Sequence, residues 1–141
     1  MSFMRPEIVR PPSEWRSYFL PITSGCSNNT CTFCSNYGSK LQMRDLDDIK
    51  REIDAVALFI RNGVTVLGMP AIVYLVSQEW DGKGVFLQDS DALVYPFSKL
   101  REILQYLVIA TLESYVEVPN LSSASSFSSS RLLCRISWAV A

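Results

Sequence analysis

The residues best suited to chemistry are Cys26, Cys31 and Cys34, three of the chain's four cysteines, gathered in the segment Ser24–Gly38. The spacing is Cys-x4-Cys-x2-Cys. Three thiolates this close are natural ligands for one soft-metal centre. An iron–sulfur cube takes one protein ligand per iron. Three cysteines therefore leave one metal position open, and an open position is where a metal site keeps its reactivity. Two other readings compete. A disulfide with a spare thiol needs an oxidising compartment, and nothing in the sequence marks the chain as secreted. Zinc needs a fourth ligand. The chain has no histidine, and Cys134 lies far away in an atypical tail. Structural zinc also favours two close cysteine pairs. Spacing alone thus points to a thiolate metal site, with iron–sulfur ahead of zinc and zinc ahead of a disulfide.

The same residues resemble the radical S-adenosylmethionine superfamily. The likeness rests on Cys26-x4-Cys31-x2-Cys34 with an aromatic residue, Phe33, just before the last cysteine. The extra residue in the first gap is similar to an uncharacterised branch of that family. So are Pro11-Pro-Ser-Glu14, Arg44 and the acidic helix start that follows. The likeness extends over roughly residues 10–107. It implies the N-terminal part of the family's core domain: an α/β chain carrying the first two strand–helix units of a partial (β/α)6 barrel, apparently truncated. It implies a [4Fe-4S] cluster held by Cys26, Cys31 and Cys34, with S-adenosyl-L-methionine on the fourth iron. It places Phe33 near the cofactor's adenine, with hydrophobic shielding of the cluster as the competing role. It places Asp89, Ser90 and Asp91 near the cofactor's amino group. Ser90 stands where the related branch has glycine. An electron donor such as flavodoxin or ferredoxin is implied as a partner.

Composition sets the broad class. The chain has 141 residues, 48% of them hydrophobic and 19% charged. That predicts one globular domain with its own core. The formal net charge of −1 gives no general attraction to nucleic acid or to an anionic membrane. No apolar run approaches the roughly 20 residues needed to span a bilayer, and the start lacks a signal peptide's apolar core. A cytoplasmic location follows, where clustered thiols serve metal or redox chemistry more often than disulfides.

The surrounding elements must hold the cysteines in place. Residues 1–16 read as an N-terminal arm, with Pro6, Pro11 and Pro12 opposing helix. Trp15 is expected to pack against the body. Tyr18–Thr23 is aromatic and β-branched and reads as the first strand, with Pro21 near its end. It runs directly into the cysteine loop, whose Ser, Asn and Gly residues favour turns. Tyr37 reads as packing. Asp45 to Gly63 carries a helix pattern: Leu46, Ile49, Ile53, Val56 and Ile60 share a face, Asp45 caps the start, and Asn62-Gly63 ends it. Its acidic residues read as solvated surface. A short apolar run, Val64–Leu67, precedes a helix from Pro70 to about Trp80, with Ile72, Leu75 and Val76 on one side. Asp81–Gly84 is a turn. Val85–Leu87 reads as the second strand. Asp89 and Asp91, family likeness aside, suit a turn or a helix cap. After Pro96, Leu100, Ile103, Leu104 and Leu107 mark another helix.

Three segments follow: an arm over 1–16, a partial core domain over 17–107, and a Ser-rich tail over 108–141 read as non-native or disordered. The tail predicts a truncated or frameshifted gene product. The functional expectation is reductive cleavage of S-adenosylmethionine to a 5′-deoxyadenosyl radical, which abstracts hydrogen from an unidentified small-molecule or macromolecular substrate. An inactive fragment of such an enzyme has the same sequence features. The alternative is a non-catalytic iron–sulfur or zinc-binding module, and a third reading is a remnant without metal.

Overall fold

A computed structural model describes residues 3–8, 11–28, 30, 32, 40–88 and 92–115, with side chains to residue 111. The fold is mixed α/β. Strand β1 (Tyr18–Pro21) pairs in parallel with β4 (Val85–Gln88), in the register Tyr18↔Val85 to Pro21↔Gln88. A separate antiparallel ribbon joins β2 (Thr23–Ser24) to β3 (Gln42–Met43). Among the described residues three α-helices, α1 (Leu46–Asn62), α2 (Ala71–Glu79) and α3 (Phe97–Tyr115), and two short 3-10 helices, Pro12–Glu14 and Ala92–Val94, complete the architecture. Among the described residues the strands form these two small sheets and no barrel. No described helix is long and apolar enough to cross a membrane.

The expected first strand divides at Ile22. Its first part follows β4, and its second part turns to meet β3. Pro21 is accommodated by ladder geometry. The N–H groups of Tyr18 and Ile22 donate to Gly84 and Gln88 on β4's side, at 3.0 and 2.7 Å. Donors alternate between strand edges, so Pro21 has its missing N–H on the side away from β4. Phe19, Leu20 and Ile22 are fully buried. Each contributes about 1.5–3 kcal/mol by leaving water. The Phe19 and Phe86 rings meet at 5.5 Å across the pair.

Helix α1 has the expected ends. The Asp45 carboxylate accepts from the Asp47 N–H. Gly63 takes φ 66° and donates to the Phe59 carbonyl at 2.8 Å. That left-handed conformation is strained for residues with a Cβ. Ile49, Ile53 and Val56 are buried as expected, while Ile60 is exposed. Glu52 overturns the reading of this helix's acids as solvated surface, because it is buried with them at 0% exposure.

Helix α2 is present, and Ile72 and Val76 meet the core as expected. Val73, Val76 and Ser77 are buried, and Leu75 is exposed. The Ser77 hydroxyl donates to the Val73 carbonyl, which lets a polar side chain occupy that face. Trp15 is also corrected: it is 59% exposed. Trp80 fills the packing role instead. Its ring lies 5.8 Å from that of Tyr18, and its indole N–H donates to the Gly84 carbonyl. The Val64–Leu67 run forms an exposed connection after α1. Helix α3 buries Ile103 and Leu107 and packs along α1. It continues past Leu107 to Tyr115, beyond the point where its apolar repeat becomes irregular.

Candidate metal centre

Because β1 and β4 run parallel and in register, both strands end at the same edge of their sheet. The cysteine loop leaves from β2 just past the end of β1, and the 89–91 segment leaves from the end of β4. Ligand sites of open α/β sheets gather beyond such carboxyl ends. Gly25 turns the chain into the loop at φ 82°, a left-handed conformation that glycine adopts without strain. Cys26 follows, half-buried and not in a disulfide. Its sulfur receives the Asn28 N–H at 3.4 Å. An amide donor on sulfur is one of the interactions that tune a thiolate bound to iron. The Asn28 side chain then accepts from both the Thr30 N–H and the Thr30 hydroxyl, fixing a local turn.

Cys31, Cys34, Phe33, Asp89, Ser90 and Asp91 lie outside the described residues, as do Tyr37 and Cys134. Among the described residues no three potential metal ligands gather, and Cys26 is the one member of the trio included. The donor chemistry at Cys26 fits a thiolate ligand: a sulfur outside any disulfide, a backbone donor aimed at it, and a position at the sheet's carboxyl edge.

The loop's two ends meet at a narrow neck. Thr23 pairs with Met43, Ser24 pairs with Gln42, and Cys26 bridges to Lys40. Thr23 and Ser24 are buried. Arg44 follows β3 and links the neck to the body. Its backbone N–H donates to the Ile22 carbonyl at 3.0 Å, and its own carbonyl accepts from the Tyr95 hydroxyl at 2.8 Å. Its guanidinium donates to the Pro21 carbonyl at 3.3 Å, to the Asp48 carbonyl at 3.4 Å, and to the Glu52 carboxylate.

Glu52 was not singled out from sequence. Its carboxylate also receives a two-pronged pair from Arg5, at 2.9 and 3.0 Å, and the Tyr18 hydroxyl. A helical signal for it exists. At roughly 100° per residue, Glu52 falls between Ala55 and Val56 on the wheel, within the buried arc. Arg5 belongs to the N-terminal arm, so the cluster also docks that arm. Two further arm contacts reinforce it: the Met4 N–H on the Gln42 side chain, and the Gln88 side chain donating to the Glu7 carbonyl.

Burial alone would raise the Glu52 carboxyl. The Arg5 fork, the Arg44 charge and the Tyr18 hydroxyl outweigh it and hold the carboxyl below its ordinary value. Tyr18 moves the other way. Burial, then the adjacent Glu52 charge, push its hydroxyl well above the ordinary tyrosine range. These shifts predict a stability profile with two limbs. The Glu52 contribution is full above the ordinary carboxylate range and is lost as pH falls through its lowered folded value. The Tyr18 contribution is full below the ordinary tyrosine value, about 10, and is lost as pH rises toward its raised folded value. Denaturation midpoints across pH should fall at both extremes. Glu52→Gln should flatten the acid limb and Tyr18→Phe the alkaline limb; unchanged slopes would contradict the assignment.

The described concavity lined by Tyr18, Ile53, Val56, Trp80, Val85 and Leu107 lies elsewhere. It sits at the amino ends of β1 and β4, and its lining is mainly apolar. Cys26 lies toward the opposite edge. The chain matches no known family model, no curated protein and no solved structure.

Proposed function

We propose that this chain is a radical S-adenosylmethionine protein, or the N-terminal part of one. In this reading Cys26, Cys31 and Cys34 hold a [4Fe-4S] cluster, and the strand pair β1–β4 is the start of a (β/α)6 barrel. The observation that carries the reading is the cysteine trio on a loop rooted at the carboxyl edge of a parallel strand pair. When bound, the cluster and S-adenosylmethionine would supply reductive cleavage of a sulfonium–carbon bond and a carbon radical able to take hydrogen from a substrate.

The chain's own residues would do simpler work. Three thiolates bind and leave one metal position open. The Asn28 N–H donates to the Cys26 sulfur. Phe33 is assigned to packing beside the cofactor's adenine. Asp89 and Asp91 are assigned to accepting from its ammonium group, a charge-assisted contact suited to carboxylates. Ser90 sits between them. An electron donor such as flavodoxin or ferredoxin would reach the site, and the substrate is a small molecule or a macromolecule.

The test is anaerobic reconstitution with ferrous iron and sulfide. The expected product is brown, and its visible and electron paramagnetic resonance spectra change when S-adenosylmethionine is added. Iron uptake without a response to the cofactor would leave a non-catalytic iron–sulfur module. Uptake of zinc in place of iron would replace the reading outright.

A further inference from the structure

We propose that Glu52 and Arg44 are positioning residues that hold the neck of the cysteine loop closed where it leads into Cys26. The consequence for iron rests on the metal reading above; the closure of the neck stands on the geometry of Glu52, Arg44 and the strands they join.

The neck is small. Two residue pairs and one bridge join its sides. A two-stranded ribbon of that length is marginal by itself. Something outside the ribbon must hold it, and Arg44 is placed to do so. Its backbone extends the ribbon by donating to the Ile22 carbonyl. Its guanidinium reaches β1 at the Pro21 carbonyl and α1 at the Asp48 carbonyl. One planar guanidinium can serve these divergent acceptors, which a lysine ammonium on a flexible stem cannot reproduce.

Glu52 keeps that guanidinium in place. The Arg44 side chain is only 10% exposed, and Arg5 brings a second guanidinium to the same carboxylate. Two partly buried cations thus share one buried anion. Without the negative charge they would repel one another in a poorly solvated site, and leaving a charge uncompensated there is strongly unfavourable. Arg44 would swing out and release its hold on Pro21. The neck would then open at the residues that lead directly into Cys26.

The test uses full-length protein and two variants, Glu52→Gln and Arg44→Lys. Glu52→Gln removes the anion. Arg44→Lys keeps the cation but loses the divergent contacts, and it decides the matter if circular dichroism shows Glu52→Gln unfolded. Hydrogen exchange is read on peptides covering 22–26 and 40–44, with α3 as the internal reference. Iron content is read after anaerobic reconstitution with ferrous iron and sulfide.

The expected result is exchange in the neck peptides accelerated beyond any change in α3, and iron affinity lowered by about 10-fold, the lower range for loss of an outer-shell partner. Parental neck exchange in Arg44→Lys would overturn the proposal. An open neck with parental iron affinity would overturn its consequence for iron. A parent protein that takes up no iron would overturn the metal reading and that consequence with it, while neck exchange would still decide the closure.

Discussion

Glu52→Ala is expected to lower stability by about 3–5 kcal/mol, the usual cost of removing one partner from a buried ion pair. Single domains are stable by only about 5–15 kcal/mol, so this change would take much of the margin. The cost does not measure the worth of the ion pair. It arises because Arg5 and Arg44 stay behind, 20% and 10% exposed, without their anion. Tyr18 also loses the acceptor for its buried hydroxyl. The mechanism has a signature beyond size. Arg5→Ala, made in the Glu52→Ala background, should cost far less than in the parent, because it removes one of the stranded charges. Coupling of about 0.5–3 kcal/mol between the two sites is expected from a denaturation cycle. Additive losses would show that Arg5 and Glu52 act independently. A Glu52→Ala variant as stable as the parent would show that the carboxylate is not the centre of this cluster.

Replacing any one of Cys26, Cys31 and Cys34 by serine is expected to weaken iron binding by more than about 100-fold, beyond the range for outer-shell changes. A hydroxyl is a poor substitute for thiolate at a soft metal. Losing one of three anchors also removes the close spacing that makes the site. Cys134→Ser supplies the control, since it lies far from the trio in sequence, and it should hold iron like the parent. Each protein would be reconstituted without oxygen and assayed for iron and sulfide. If all three single variants retain parental iron, the cysteines are not the ligands. If Cys134→Ser also loses iron, the site has a fourth thiolate and no open position. That outcome would favour a closed, non-catalytic centre.

The two predictions draw on residues that differ in legibility. The cysteine trio is visible in sequence because its spacing is local. Helix α1 is equally visible, since its cap at Asp45, its stop at Gly63 and its apolar repeat all lie within the helix itself. The second strand emerged from the apolar run at Val85, bounded by a turn. Failures began where partners are distant. Trp15 and Trp80 are chemically alike, yet one is exposed and the other packs at a tilt against Tyr18. Leu75 fitted an apolar face with Ile72 and Val76, yet it is exposed, and Val73 is buried with Val76 instead. Glu52 was grouped with the helix's other acids because an acid's partners decide whether burial is tolerable. Those partners, Arg5, Tyr18 and Arg44, come from three separate segments.

Sequence by itself therefore determined the cysteine spacing, helix α1 and the strands that begin at Tyr18 and Val85, but not the short strand β3 that closes the loop's neck. These depend on covalent order and on interactions within a few residues. Tertiary structure decided which strand ends share an edge, which tryptophan is covered, and that one carboxylate ties the arm, the helix and the loop's neck together. Those outcomes depend on residues far apart in the chain reaching the same place, and burial there changes what a charge costs.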